Sequence, residues 1–181
     1  SAGSGAGAGG LSYLSGLAFA AFSGGGVGGD EDTAIEVPIT AQLSDTDGSE
    51  SFVLVLTGFP AGATFNAGAL DADSGSATFG AWVITEAEFT ALAGANVTVT
   101  PPQDWNGQFD LGVEMIVTDT ANYDGGGSDT DSVSTSTTVD VTVTPVNDAP
   151  VANNDSVSTS EDTTLVIAAN QLLANDADAE S

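Results

Sequence analysis

Thr137-Thr-Val-Asp-Val-Thr-Val143 decides the fold, because from Thr138 onward polar side chains alternate strictly with valine. Such alternation is typical of a strand that buries one face and exposes the other. Five more runs are rich in β-branched and aromatic residues, at 33–39, 52–56, 77–84, 97–99 and 109–117. Short strands of this kind, separated by turn residues, predict an all-β fold of two stacked antiparallel sheets.

One short helix is predicted among the strands. Thr85-Glu-Ala-Glu88 has the spacing of a capping box, so the helix should run from Thr85 to Leu92 and end at Gly94. Its two acids therefore have a structural role. Glycine, proline and asparagine supply the turns, and we interpret the glycine-rich run 125–131 as an acidic loop.

The charge of the chain excludes whole classes of function. It has 26 Asp and Glu residues, no Lys, Arg, His or Cys, and a net charge of -26. Serine-histidine and cysteine-histidine relays, Schiff-base lysines and zinc sites of nitrogen and sulfur ligands are impossible without those side chains. Nucleic acid and anionic membranes are excluded as partners, because both bind cationic residues. We expect no enzyme of these types.

The same charge indicates where the protein works. Hydrophobic residues make up 41% of the chain, which is a folding composition rather than a disordered one. Clustered carboxylates in such a fold need water, backbone donors or a dissolved cation, and calcium prefers oxygen ligands. We therefore expect calcium as the cofactor and an extracellular or cell-surface location.

Composition and repetition divide the chain into three segments. Residues 1–29 are rich in Gly, Ala and Ser and hold no acid, and residues 30–149 form the predicted sandwich. Glu31-Asp-Thr-Ala-Ile-Glu-Val37 recurs as Glu161-Asp-Thr-Thr-Leu-Val-Ile167 at an offset of 130 residues. Residues 150–181 are therefore interpreted as the start of a second, incomplete copy, joined to the first by a passage stiffened by two prolines.

The apolar run from Leu11 to Phe22 leaves two interpretations open. It is too short to span a bilayer and lacks the basic flank of a secretion signal. A flexible linker is one interpretation. The other is a tail that packs against another copy of the chain, through Leu11, Tyr13, Leu14, Leu17, Phe19 and Phe22.

Six short sequence segments, taken in their order along the chain, resemble those of a known family. They are Asp30-Glu-Asp-Thr33, Leu43–Glu50, Gly58–Ala63, Val99–Gly107, Val117-Thr-Asp119 and Val146–Pro150. In these segments the chain resembles the tandem cadherin-like or immunoglobulin-like repeats of large bacterial surface adhesins, including RTX-type adhesins. The resemblance implies an immunoglobulin/cadherin-like β-sandwich stacked end to end. It also implies calcium held at the joints by acids of adjoining modules.

The predicted calcium ligands are acids and an asparagine near the ends of the modules. Loop and strand-end residues of the first copy were expected to meet at one end of the sandwich, and those of the second copy to meet the linker. The alternative is a solvated acidic end whose Asp and Asn residues only form turns. The candidate ligands are Glu31, Asp32, Asp45, Asp47, Asp119, Asn147, Asp148, Glu161, Asp162, Asp176 and Asp178.

Two functions of different classes follow. The first is a non-catalytic, calcium-stabilised module of a bacterial surface adhesin, acting in cell adhesion or as a rigid spacer, with adjacent repeats of a longer chain as its partners. The second is a subunit of an extracellular filament, built by exchange of tails or strands between copies. A glycosidase that acts through two paired carboxylates is a third hypothesis, but nothing in the sequence indicates such a pair within a cleft. Trp82, Trp105 and Tyr123 are expected to fill the core rather than bind a carbohydrate.

Overall fold

A computed structural model describes residues 17–20, 25–43, 48–123 and 127–179. Within them lie two short helices, α1 (Glu86–Ala91) and α2 (Ala169–Leu172). The strands are β1 (Leu17–Ala20), β2 (Val27–Asp30), β3 (Ile35–Val37), β4 (Thr40–Leu43), β5 (Glu50–Thr57), β6 (Thr64–Phe65), β7 (Ala69–Leu70), β8 (Trp82–Thr85), β9 (Val97–Thr100), β10 (Gly107–Tyr123) and β11 (Gly127–Thr144).

The strands form the all-β sandwich that alternation predicts. One sheet has the order β2-β11-β10-β5-β8-β7, a second has the order β3-β9-β6, and β1 pairs with β4. One hydrophobic cluster joins the two larger sheets, with side chains from β3 and β9 packed against those of the six-stranded sheet. Val139, Val141 and Val143 of the deciding stretch are at most 2% exposed. The interior of the sandwich is thus built by alternate residues of neighbouring strands.

The long hairpin of β10 and β11 corrects one prediction. The ladder runs from Gly107 opposite Val143 to Tyr123 opposite Gly127, so most of the predicted loop 125–131 belongs to a strand. Apolar alternation stops where the core stops, although backbone pairing continues. The hydroxyls of Thr118 and Ser132, 3.1 Å apart, join the strands in this outer part.

The prediction of a continuous strand over 77–84 is wrong, because in this region only Trp82–Thr85 forms a strand. The residues before β8 form turns, which are stabilised by the side chains of Asp71 and Asp73. Asp71 accepts hydrogen bonds from the Asp73 amide and the Thr78 hydroxyl, at 2.9 and 2.6 Å. Local carboxylate acceptors therefore compete here with the sheet ladder for backbone and hydroxyl donors.

The helix prediction is confirmed by its cap. The Thr85 amide donates to the Glu88 carboxylate at 2.9 Å, and the Glu88 amide donates to the Thr85 hydroxyl at 3.4 Å. α1 then runs to Ala91. The Thr85 hydroxyl also donates to the Glu88 carboxylate at 2.7 Å, and this bond, followed by the bond from the Thr85 amide, lowers the pKa of Glu88 below its usual value.

The first strands begin inside the segment predicted as a tail. Val27–Asp30 pairs in parallel with the end of β11, and Leu17–Ala20 pairs with β4 of the same chain. This pairing of Leu17 and Phe19 within one chain differs from the expected pairing between copies. The predictions at Leu11, Tyr13, Leu14 and Phe22 lie outside the described residues.

The two tryptophans pack against the hydrophobic core. The Trp82 ring nitrogen donates to the carbonyl of Ala67 at 2.7 Å, and its ring contacts Phe59 and Phe65. Trp105 packs edge-on against Phe109, with ring centroids 5.7 Å apart. The packing explains why both rings are partly buried.

Candidate metal centre

Three acidic turns meet at the end of the sandwich where β11 ends. Asp32 lies between β2 and β3, Asp104 lies between β9 and β10, and Asp148 follows β11. One carboxylate oxygen from each lies within 4.8 Å of the other two. The sequence brings them together because β2 and β11 run parallel and reach this end side by side.

The backbone conformation of two of these acids places their carboxylates at this end. Asp32 and Asp104 have φ of 57° and 56°, a left-handed conformation that Asp adopts more readily than most residues. The Asp104 amide donates to the Asp32 carboxylate at 3.0 Å. The conformation of each turn and the bond between them therefore hold the two carboxylates at the end of the module.

Glu31 fixes the third acidic segment in place. It is 2% exposed, and it accepts from the Val146 amide at 2.7 Å and from the Asn106 side chain at 3.1 Å. Its own amide donates to the Thr144 carbonyl at 3.0 Å. Both carboxylate oxygens are thus engaged by protein donors, so Glu31 positions the linker that carries Asp148.

The second copy contributes to the same end. A groove of about 520 Å³ at this end is lined by the three clustered acids and by Gln103, Ala149, Val151, Ala177, Asp178 and Ala179. Val151 and Ala177 are joined by two backbone hydrogen bonds of 2.8 and 3.0 Å, which hold the segment of Asp178 beside the linker. Asp178 thereby becomes a fourth carboxylate of the groove.

Several predicted ligands have other positions. Asp176 accepts from the Asn153 amide at 2.8 Å, and the Asn147 side chain donates to the Asp148 carbonyl at 2.7 Å. Glu161 and Asp162 are exposed and lie outside the groove lining. Asp45 and Asp47 fall outside the described residues.

Asp119 corrects the expectation that the first copy's acids share one end. It pairs with Glu50 on β5 and with Asp131 on β11. The groove instead lies beside Gly107, twelve residues earlier along β10. At about 3.3 Å per residue, these positions are roughly 40 Å apart. Asp119 is therefore excluded from the groove that holds Asp32.

Asp104 is the ligand candidate that sequence reasoning missed. Its segment, Gln103-Asp-Trp-Asn-Gly107, is part of the resemblance, but an Asp before Asn-Gly is also ordinary turn chemistry. What distinguishes Asp104 is that other carboxylates lie close to it in the fold, and a single sequence does not show which residues are close in space.

The groove concentrates negative charge that the chain cannot neutralise. Loss of hydration raises the pKa of Asp104 above its usual value, and repulsion from Asp32 and Asp148 raises it further. The full chain has no Lys, Arg or His to pair with these acids. Carboxylates from separate segments are the donors that Ca²⁺ accepts, so the residues present fit this ion.

Asp104→Asn should have opposite effects with and without calcium. The folded-state pKa is raised, so Asp104 favours folding when protonated and loses that contribution as pH rises through the raised pKa. At neutral pH with a chelator, Asn should raise the melting temperature by removing repulsion, and the gain should vanish toward pH 3. With calcium, the variant should melt below the wild type. A thermal shift of the same sign in both conditions would contradict this.

Comparison with known proteins identifies one similarity. A family model described as Cadherin-like domain matches residues 146–181, which hold the linker and the start of the second copy. No curated protein and no solved structure matches the chain. The similarity supports the cadherin-like part of the resemblance and suggests an extracellular adhesion-type module, a class that is typically non-catalytic. Neither described helix is long and apolar enough to cross a membrane.

Proposed function

We propose that this chain is a non-catalytic repeat module of an extracellular protein, whose joint to the next repeat is stabilised by calcium. The observation that carries the proposal is the cluster of Asp32, Asp104 and Asp148, with Asp178 in the lining of the same groove. These acids come from the first module, the linker and the second copy. A divalent cation between them would neutralise their repulsion.

The protein's own contribution is to fix the orientation of the two repeats. Glu31 holds the linker at Val146, and the bridge between Val151 and Ala177 holds the second copy's acidic segment beside it. Without a cation, repulsion among the carboxylates of the groove favours separation of the segments that carry them. With one, the joint becomes stiff, which suits a spacer that holds an adhesive region away from a bacterial surface.

The extracellular location is supported by the same chemistry. Calcium sites in extracellular modules bind with dissociation constants of about 0.1–1 mM, which demands a calcium-rich medium. Dissolved cations in such a medium also screen the net charge of -26 and so reduce the repulsion among the carboxylates.

Calcium should raise the stability of the full chain. Binding to the folded joint alone adds about 2.7 kcal/mol when free calcium is 100 times its dissociation constant. The measurement is thermal unfolding by circular dichroism in excess calcium and in a chelator. Asp32→Asn and Asp178→Asn should each reduce the calcium-dependent gain in melting temperature.

The matched control is Asp129→Asn, which removes the same charge from an exposed position on the hairpin of β10 and β11. It should keep the full calcium gain. Asp71→Asn is unsuitable, because that carboxylate caps a turn. Equal melting curves with calcium and chelator would refute the calcium joint.

A further inference from the structure

Among the described residues, no strand pairs with the outer edge of β11 along most of its length. β10 pairs with one side of the strand from Gly127 to Val143, whereas β2 covers the other side only from Val141 to Thr144. No other strand of the described residues pairs with residues 127–139 on that side. At about 3.3 Å per residue, the open edge is roughly 43 Å long.

The ladder shows which amides point outward. The Thr144 carbonyl accepts from the Glu31 amide on the β2 side. A strand residue directs its amide and carbonyl to the same side, and the side alternates along the chain. Even-numbered residues of β11 therefore present hydrogen-bonding groups to the open edge. The amide of Ser132 bonds to the neighbouring Asp131 carboxylate at 2.9 Å, as expected for an outward-pointing group.

Little in this edge prevents pairing with another chain. Proteins usually protect an edge with lysine, proline or a bulge. The chain has no lysine, and residues 127–139 contain no proline. Their ladder to β10 continues without an extra residue. Val133 is 38% exposed, which gives an added strand an apolar neighbour.

The charges favour an uncharged partner strand. Asp129 and Asp131 lie along the open edge, so a second acidic edge placed against it would bring like charges together. Residues 1–16 carry no charge, are rich in small side chains and are long enough to cover the edge. In its own molecule, this segment leads into β1, which pairs with β4 outside the sheet of β11.

We propose that the open edge of β11 binds residues 1–16 of a second copy as an added strand. Each copy then offers one strand and one edge, so the contact runs head to tail and extends into a chain of subunits. The filament alternative thereby gains a defined surface. It does not depend on the calcium joint.

Two variants separate the donor from the acceptor. Deletion of residues 1–16 removes the donor strand and spares the hydrophobic cluster, whose members lie between Val27 and Val143. Ser136→Pro removes an outward amide and leaves the bonds to β10 in place. Ser136→Thr is the matched control, because it keeps the amide.

Sedimentation velocity of the full chain, in calcium and in chelator, is the test. The full chain and Ser136→Thr should associate in both conditions, and each of the two disabling variants should associate at least tenfold more weakly. Mixed in equal amounts, the two variants should form a one-to-one complex, because one supplies the strand and the other supplies the edge.

Three outcomes would overturn the proposal: a full chain that is monomeric at all concentrations, undiminished association of a folded edge variant, or no complex in the mixture. If circular dichroism shows that Ser136→Pro is unfolded, Ser134→Lys replaces it, since lysine blocks an edge without demanding a new backbone. Melting curves in calcium and chelator report on the joint separately, so the two proposals can fail independently.

Discussion

Glu31→Ala should lower the free energy of unfolding by about 3 kcal/mol, because hydrogen bonds to a charged group contribute about 1.5–3 kcal/mol each. The side chain is 2% exposed and holds two donors, the Val146 amide at 2.7 Å and the Asn106 side chain at 3.1 Å. Alanine leaves both donors without this acceptor. Urea denaturation in a chelator isolates the effect from calcium.

The same substitution should also weaken the calcium response. Val146 lies two residues before Asp148, so releasing it frees the linker that carries one clustered carboxylate. Glu36→Ala is the matched control, since it removes the same charge from an exposed residue of β3. A loss no larger than that of the control would show that Glu31 does not brace the linker.

The strands that alternate over the core could be predicted from sequence, and those outside it could not. Runs 52–56, 97–99, 109–117 and 137–143 lie within β5, β9, β10 and β11, because burial imposes the alternation that marks them. The run 33–39 likewise contains β3, where Ile35 and Val37 are buried and Glu36 is exposed. The outer parts of β10 and β11 continue as strands through backbone pairing alone.

β2 shows why a strand can look like a linker. In Val27-Gly-Gly-Asp30, glycine allows a close approach rather than flexibility. A methyl group at Gly29 would lie 2.8 Å from the Ile35 side chain, and one at Gly28 would lie 3.0 Å from the Thr142 carbonyl. A glycine-rich segment can be a flexible linker or a strand that packs closely against its neighbours, and only the residues around it in the fold distinguish the two.

The types of acid at the joint were predictable, but their grouping was not. The repeat offset relates Glu31-Asp32 to Glu161-Asp162, and the structure supports this equivalence, since Asp32 and Asp162 have φ of 57° and 58°. An offset cannot tell at which end of a module the motif lies. Because β2 runs parallel to β11, the motif lies where its own module ends.

The joint is therefore built from unlike parts of the two copies. Asp32 and Asp104 come from turns at the far end of the first copy, whereas Asp178 comes from the segment that corresponds to Asp47, at an offset of 131 residues. By the same repeat, Glu161 and Asp162 belong to the other end of the second copy.

Gly58→Ala should be among the most destabilising single changes, with a loss of about 3 kcal/mol from left-handed strain and overpacking together. Gly58 follows β5 with φ of 81°, and a methyl group there would overlap the carbonyl oxygen of Asp110 on β10. Gly80 has the same φ of 81° with no atom within 4 Å of an added methyl group.

Gly80→Ala is therefore the matched control, and it should cost only the left-handed strain of about 1–2 kcal/mol. Displacing Asp110 would also move the start of β10, which follows the turn of Asp104 directly, so Gly58→Ala should reduce the calcium-dependent gain as well. Urea denaturation gives the first quantity, and melting with and without calcium gives the second. Equal losses in the two alanine variants would mean that β5 and β10 yield at this contact, and that their spacing does not hold the acidic turn in place.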